Sequence, residues 1–520
     1  MQDLMDLRRH AAEAPGRVAL VCGGRRVRYG ELEALTNRLA AFVRARGLRR
    51  GDHLAMLVGN QPEALALAWA AWRTGTYLTP MSTALAPPEL RYLAVDSDAK
   101  AVFVDAALAP LATAVDWPAG VQRWALNGAV AGFETIDAEL ARASPGPATH
   151  EPPGALMMYT SGTTGAPKGV VRPLLPENWR GTPPFAADLI ALFGVGGADV
   201  RYLSTAPLYH AAPLRTALAV TAGGGTAFVM DRFDADAALE LIAREGITHC
   251  QWVPSMFQRL LALPEALRAA FRAPLHRTAI HGAAPCPAAL KRAMIDWWGP
   301  ILLEYYSGSE GVGLTLITSE EALRKPGSVG RARKGELHVV DAAGHEVPIG
   351  ATGLVCFAGV APFTYHNAPE KTAARTLAQG WQTFGDVGHV DADGYLYLTD
   401  RADDMIISGG VNVYPQEIEA VLRDVPGVWD CAVTGVADER FGERPVAFVV
   451  VRRGEHPDTV RAAVETRIAT QLGRIKRPDA IHFIDELPRS ATGKLLRRRL
   501  RELVERDAVR ADVERIEKGP

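Results

Sequence analysis

Residues 157–169 read Met-Met-Tyr-Thr-Ser-Gly-Thr-Thr-Gly-Ala-Pro-Lys-Gly. Thr160, Ser161, Thr163 and Thr164 supply hydroxyls. Gly162, Gly165 and Gly169 let the main chain turn and come close to a ligand, and Lys168 adds a cation. Hydroxyls, backbone N–H groups and a lysine on a glycine-rich turn make an anion cradle, and a polyphosphate is the ligand that uses all of them. The common phosphate loop needs Gly-Lys followed by Ser or Thr. Here Gly169 and Val170 follow Lys168, so the cradle is of another type. Ser, Thr and Gly are also ordinary loop residues; the ordered string closed by Pro-Lys-Gly sets this stretch apart from a polar surface loop.

Such a cradle has to be held by rigid elements. Met157–Tyr159 reads as the end of a buried strand. Upstream, the pattern predicts a hairpin over 17–30 turning at Gly23-Gly24, and a helix over 31–46 with Leu32, Leu35, Leu39, Phe42 and Val43 at helical spacing, ended by Gly47. Strands at 53–58, 77–80 and 101–104 then alternate with helices at 61–74 and 89–97. Alternation of this kind implies a parallel sheet covered on both faces. The Pro- and Gly-rich residues 144–154 read as a linker.

A second alternating region, about 184–317, has strand candidates at 200–204, 225–230, 249–253, 278–281 and 301–305. Short strands and Asp/Gly turns over about 335–399 predict a small antiparallel β subdomain. From 401 the text changes to an α+β pattern, with helices at 415–423 and 460–472 and strands at 433–436, 446–451 and 482–484. The fold class expected is α/β: a large N-terminal domain of parallel α/β sheets with the β subdomain (1–400), then a small α+β C-terminal domain (401–520).

Composition narrows the functions. A chain of 520 residues exceeds one compact core. A net charge of −2 gives no overall basic field for nucleic acid. The Arg497–Arg501 run is balanced by Glu502, Glu505 and Asp507 and reads as a solvated helix face. Cys22, Cys250, Cys286, Cys356 and Cys431 stand apart, without zinc spacing, as expected of packing thiols in a reducing cytoplasm. The N-terminus lacks a signal-type apolar core, and no apolar run reaches the roughly 18 residues of a membrane span.

Four more stretches fit the first: Tyr-Tyr-Ser-Gly-Ser-Glu-Gly at 305–311, Trp-Gln-Thr-Phe-Gly-Asp-Val-Gly at 381–388, the run from Asp400 to Glu419, and Pro-Arg-Ser-Ala-Thr-Gly-Lys at 488–494. In this order, over nearly the whole chain, the set resembles the adenylate-forming superfamily of acyl-CoA synthetases, luciferases and peptide-synthetase adenylation domains. The resemblance implies a carboxylic acid, ATP, Mg²⁺ and coenzyme A as reactants and cofactor, an acyl-adenylate intermediate, and a C-terminal domain that rotates between two half-reactions. A homodimer is compatible with it.

It also implies roles by position. Thr160 to Gly165 and Lys168 hold the β- and γ-phosphates. Glu310 binds Mg²⁺, although on its own it reads as a surface acid. Ser309 replaces the usual Thr and keeps a hydroxyl for the α-phosphate or carboxylate. Tyr306 stacks on adenine, with the backbone of Ala283, Ala284 and Pro285 closing the base pocket. Asp386 and Arg401 meet the ribose, and Asp403 is the hinge. Phe384 is a mild departure from the family, whose members commonly read Arg, Lys or His followed by Thr-Gly-Asp here; Asp386 is still placed. Lys494 stabilises the adenylation transition state; locally it is one more cation among arginines. Gly409 and Gly410 line the pantetheine tunnel, and Phe441 and Arg477 lie at the CoA nucleotide.

The acid would sit near Tyr209 and His210, with Trp252, Gly282, Gly308 and Gly311 around it. A histidine here, taken alone, reads as structural. No Asp stands near 210 to pair a substrate ammonium, which disfavours amino acids and leaves an apolar acid, fatty or ring-bearing. Gly308, Gly311 and Gly313 would open a tunnel or serve turns. The leading expectation is an acyl-CoA synthetase. Its rivals are an acyl-AMP ligase loading a carrier protein, a luciferase-like oxygenase, and a non-catalytic nucleotide-binding protein.

Overall fold

In a computed structural model, residues 6–504 are described apart from 161–166, 410, 439 and 490–494. They group into two compact units. One comprises 6–160, 167–334 and 360–374; the other comprises 335–359 and 375–504. The residues read from the sequence as a β subdomain of the first 400 therefore cluster with the C-terminal residues, apart from the stretch 360–374.

Among its described residues, the first unit holds three sheets. The six-stranded one is parallel throughout, in the order Glu134–Thr135, Gln122–Leu126, Ala99–Asp105, His53–Leu57, Tyr77–Pro80, Ala155–Leu156. Its helix Pro62–Thr74 is buried over nearly all its length, which its small alanines allow. Pro62 sits in the first turn and left-handed Gly75 closes the end, as each is suited to do.

The nine-stranded sheet runs Arg331–Lys334, Leu314–Thr318, Leu302–Tyr306, Thr278–His281, His249–Trp252, Arg201–Ser204, Thr226–Val229, Val18–Cys22, Arg25–Arg28, parallel in the middle and antiparallel at both ends. The predicted hairpin forms, and it also joins this sheet through parallel pairing of Leu20 with Ala227. A pairing across some two hundred residues leaves no local trace in a sequence.

One face of this sheet packs Tyr202, Ile280 and Tyr305 with helices Pro184–Phe193 and Ala211–Ala222. The other face packs Leu203, Cys250, Trp252 and Leu302 with Phe257, Met294 and Trp298. A third, three-stranded sheet pairs Met158–Thr160, Lys168–Val171 and Thr364–Tyr365 antiparallel.

Residues 144–154 are not a free linker. Asn37 donates to the Pro145 carbonyl, Arg8 pairs with Glu151, and the Gly154 N–H donates to Trp72 O, where any side chain would strike the carbonyls of Ala71 and Thr76.

The second unit has a four-stranded antiparallel sheet in the order Glu336–Val340, Gly353–Ala358, Asp386–Val390, Leu396–Arg401. It also has a sheet built on the long pair Val428–Asp438 and Gly442–Val451, with Ala480–Phe483 alongside and helices Pro415–Arg423 and Pro457–Gln471. The arginine run is only in part a solvated face. Arg498 pairs with Glu502, whereas Arg497 is buried against Glu419, Asp404 and the Val433 carbonyl. Its charge is spent inside the unit, and Glu505 and Asp507 lie outside the described residues.

Among the described residues no helix is long and apolar enough to cross a membrane, and all five cysteines are unpaired. In the first unit Lys291 and Glu304 form a buried ion pair, each side chain only 5% exposed. Replacing Lys291 by Met should cost about 3–5 kcal/mol by leaving a carboxylate buried alone. Changing Glu304 to Leu as well should recover most of that. Urea unfolding of the two variants measures both, and a double variant as unstable as the single would show that the charge pairing is not what matters.

Candidate active site

The three-stranded sheet brings two of the expected phosphate-side residues to one place. Val170 pairs with Tyr365, so Lys168 and Tyr365 are neighbours, the Lys168 ammonium lying 5.1 Å from the Tyr365 ring centroid. The Tyr365 hydroxyl donates to Glu310 Oε1 at 2.7 Å. The turn that carries Glu310 is fixed from behind. Arg172, one residue past the Lys168 strand, donates to the Glu310 carbonyl at 2.6 Å, to Gly311 O at 2.9 Å and to Ala361 O at 3.2 Å.

Gly311 has φ +61°, and a Cβ there would meet the Arg172 guanidinium at 2.9 Å. With Gly311 N–H donating to Gly308 O and Ser307 Oγ to Gly313 O, these glycines serve a closed turn. Ser309 lies in that turn, and Tyr306 ends the strand before it. Among the described residues no group of three or more His, Cys, Asp or Glu could hold a metal ion. A single carboxylate suits Mg²⁺, which takes phosphate oxygens for most of its other ligands.

The loop expected at adenine carries backbone strain. Ala283 has φ +68°, a left-handed conformation that costs an alanine about 1–3 kcal/mol and gathers at functional sites. Gly282 before it lies against the Tyr305 ring and carbonyl, with no room for a side chain; Ala284 and Pro285 continue the loop.

His210 caps the helix Ala211–Ala222 with extended backbone, its ring 4.6 Å from that of Tyr209. Burial pulls its pKa down to about 4, so the imidazole is neutral near neutral pH, and its buried Nε2 has no hydrogen-bond partner among the described residues. Trp252 is not brought to this group. It is 1% exposed on the opposite face of the sheet, among Phe233, Phe257 and Trp298.

In the second unit Asp386 and Arg401 stand opposite each other across two strands, Arg401 Nε 3.5 Å from Asp386 Oδ1, and Arg401 also donates to Phe384 O. The unusual Phe384 is buried beside Phe357. Gly385, with φ +84°, leaves the space through which Arg375 passes to pair with Asp403. The expected hinge residue is thus clasped by an arginine from the loop that leads to Asp386, the aspartate expected at the ribose.

Asp400, just before Arg401, is buried. Burial lifts its pKa to about 6 although Arg497 and the N–H groups of Gln416 and Arg401 pull the other way. Gly409 donates its N–H to Phe441 O, so these two expected CoA positions are adjacent, with Arg440 and Arg444 over the Phe441 ring. Arg477 is occupied otherwise, donating to Leu472 O and Ala469 O at the end of helix Pro457–Gln471. Ser161, Gly162, Thr163, Thr164, Gly165, Gly410 and Lys494 lie outside the described residues.

Sequence reasoning missed Arg172, Tyr365 and Arg375. None stands in a recognised motif, and only strand pairing or a glycine gap reveals its partner.

The comparisons with known proteins place the chain in a family. A family model described as "AMP-binding enzyme" matches residues 7–364, and one described as "AMP-binding enzyme C-terminal domain" matches 417–494. The long-chain-fatty-acid–CoA ligase FadD13 of Mycobacterium tuberculosis is 35% identical over 496 residues, covering 92% of this chain and 93% of its own. The indoleacetate–CoA ligase of Aromatoleum aromaticum is 35% identical over 511 residues, covering 96% and 97%. The solved Mycobacterium tuberculosis fatty acyl CoA synthetase superposes with a TM-score of 0.72 at 33% identity, covering 96% of this chain and 97% of that one. Matched by both models in order and by relatives along nearly its full length, the chain belongs to the family of AMP-binding, adenylate-forming enzymes.

Proposed function

We propose that the chain is an ATP-dependent acyl-CoA synthetase. It joins a carboxylic acid with an apolar body to coenzyme A, with ATP converted to AMP and pyrophosphate through an acyl-adenylate. The observation that carries the reading is the cluster of Lys168, Tyr365 and Glu310, built from three distant stretches and backed by Arg172. The relatives named for fatty-acid and indoleacetate ligation support the acid–thiol chemistry. A cytoplasmic location fits this substrate set.

In this reading the carboxylate attacks the α-phosphorus, the α–β bridging bond breaks, and pyrophosphate leaves. Thr160, Ser161, Gly162, Thr163, Thr164, Gly165 and Lys168 hold the leaving phosphates. Glu310 and phosphate oxygens hold Mg²⁺, which when bound neutralises charge on the triphosphate. Tyr365 orients that carboxylate by its hydrogen bond. Asp386 and Arg401 take the ribose, and Tyr306 with Ala283 to Pro285 takes the base. Ser309 and His210 flank the reacting carboxylate, and Lys494 meets the negative charge that builds in the transition state. In the second step the CoA thiolate attacks the acyl carbon and AMP leaves, with Gly409, Gly410 and Phe441 beside the thiol arm. Residues 1–400 and 401–520 are the two functional parts, and the chain turns at Asp403 between steps.

Three measurements test this. With free CoA and a panel of carboxylic acids, the purified protein should release AMP and form an acyl-CoA; accumulation of acyl-adenylate without thioester would point to a carrier protein as acceptor. In acid-dependent ATP–pyrophosphate exchange, Lys494→Ala should lose about 10²–10³ in turnover, whereas Lys168→Ala should mainly raise the KM for ATP; a larger turnover loss at Lys168 would reverse the two assignments. Finally, Arg375→Ala frees the hinge aspartate. Rapid-quench rates of adenylate and thioester formation should then move in opposite directions by several-fold, and an equal loss in both would reduce Arg375 to a packing role.

A further inference from the structure

The turn that ends in His210 is held by a side chain from a distant stretch of the first unit. Asn60 lies in the connection between strand His53–Leu57 and helix Pro62–Thr74. Its Oδ1 accepts the Leu208 N–H at 2.8 Å, and its Nδ2 donates to the Met230 carbonyl at 2.6 Å. An N–H only donates and a carbonyl only accepts, so one orientation of the amide serves both. A carboxylate has no proton for Met230, and an alkyl side chain serves neither group. Asn60 is itself fixed, since the buried Cys22 thiol donates to its carbonyl at 2.9 Å.

The two groups that Asn60 joins belong to one stretch of the nine-stranded sheet. Met230 follows strand Thr226–Val229, and its N–H donates to the carbonyl of Ser204, the last residue of strand Arg201–Ser204, at 3.1 Å. From there the chain runs through 205–210 into helix Ala211–Ala222. Thr205 Oγ1 donates to Gln251 O at 2.6 Å at the start of this segment. At its end the His210 N–H donates to Pro207 O at 3.1 Å and closes a turn over Pro207–His210. Asn60 takes the N–H of the second residue of that turn.

Apolar packing alone would not fix the direction of the turn. Leu208 is fully buried, in one cluster with Met56, Val58 and Ala64 from the elements on either side of Asn60. Such packing holds the two sheets together but is non-directional. A peptide N–H gripped at 2.8 Å sets the plane of the turn, and His210 ends it. The imidazole has a use for being set. Its Nε2 is buried with no hydrogen-bond partner among the described residues, and its ring lies 4.6 Å from that of Tyr209. A buried nitrogen left open is costly unless a ligand meets it.

We propose that Asn60 is a positioning residue for the acid: by gripping the Leu208 N–H it sets the turn Pro207–His210, and through it the imidazole beside the reacting carboxylate. This rests on the ligase reading, which supplies the role of His210. Asn60 acts on the acid only through that turn.

The test uses the full chain in an AMP- and acyl-CoA-release assay. A panel of straight-chain and ring-bearing monocarboxylic acids is screened, and the acid that the wild-type protein turns over best is carried forward. Asn60→Leu keeps the volume and removes both hydrogen bonds. It should raise the KM for that acid by about five- to tenfold and leave the KM for ATP within about twofold. Asn60→Asp keeps the acceptor for Leu208 and should retain more of the wild-type KM for the acid than Asn60→Leu does. His210→Ala should also raise the KM for the acid, and adding Asn60→Leu to it should cost little more, because both act at one group. Thermal unfolding shows whether each variant is folded; should Asn60→Leu not fold, Asn60→Ser takes its place in the same comparison.

Equal rises in the KM for acid and for ATP would overturn the proposal, as would losses in Asn60→Leu and His210→Ala that add in full, because Asn60 would then serve the packing of the two sheets. An unchanged KM for the acid in folded Asn60→Leu would overturn it and leave the ligase reading intact. Wild-type protein that releases no AMP and forms no thioester with any acid of the panel would count against both.

Discussion

The first unit's chemistry depends on three short strands finding one another. Residues 158–160, 168–171 and 364–365 pair in a sheet too small to be stable alone. It is held because its neighbours are packed: Met157 and Met158 are buried, and the Tyr159 hydroxyl donates to Asp96. Burial and the nearby carboxylate push the Tyr159 hydroxyl pKa far above its usual value, so it remains a donor. That small sheet sets Lys168 beside Tyr365, and Tyr365 in turn sets Glu310. Arg172 closes the set by gripping the Glu310 turn through backbone carbonyls, so the turn is held whatever the state of the carboxylate.

Much of this was legible in the sequence, and the reasons are physical. Strand and helix periods set the alternating regions, and the predicted strands at 200–204, 249–253 and 278–281 differ from the observed ones by a residue or less at each end. Of the motif residues, Glu310 meets Tyr365, Asp386 faces Arg401, and Gly409 bonds to Phe441. Other features were not legible, because they are made by contacts between distant stretches. Residues 144–154 have linker composition, yet Gly154 is locked between two carbonyls. Arg497 sits in a run of exposed-looking arginines, yet it is the one that Glu419 and Asp404 enclose. Composition reports average exposure, and a single buried arginine in a basic run does not change the average.

The two units solve the problem of buried charge differently. In the first, Lys291 and Glu304 cancel as a pair. In the second, Arg497 faces Glu419 and Asp404 with Asp400 nearby, an excess of acids. Burial holds the Asp400 pKa near 6, above its unfolded value. Ionising it therefore works against the folded state as pH rises from the ordinary carboxylate range through about 6, and above that the cost is constant. Asp400 precedes the residue proposed as pivot by three positions, so this acid-rich pocket and the pivot share one short segment.

The gap at Gly385 carries a consequence for how such an enzyme can vary. Arg375 reaches Asp403 only because residue 385 lacks a side chain. With Asp403 as the proposed pivot and Asp386 as the proposed ribose contact, drift at position 385 would be felt first as a change in domain timing and only second as a change in nucleotide affinity. Selection on the balance of the two half-reactions can then act at a site whose neighbourhood suggests it concerns only the sugar, and an engineer seeking to retune that balance would start at 375 and 385 and leave the pivot itself untouched.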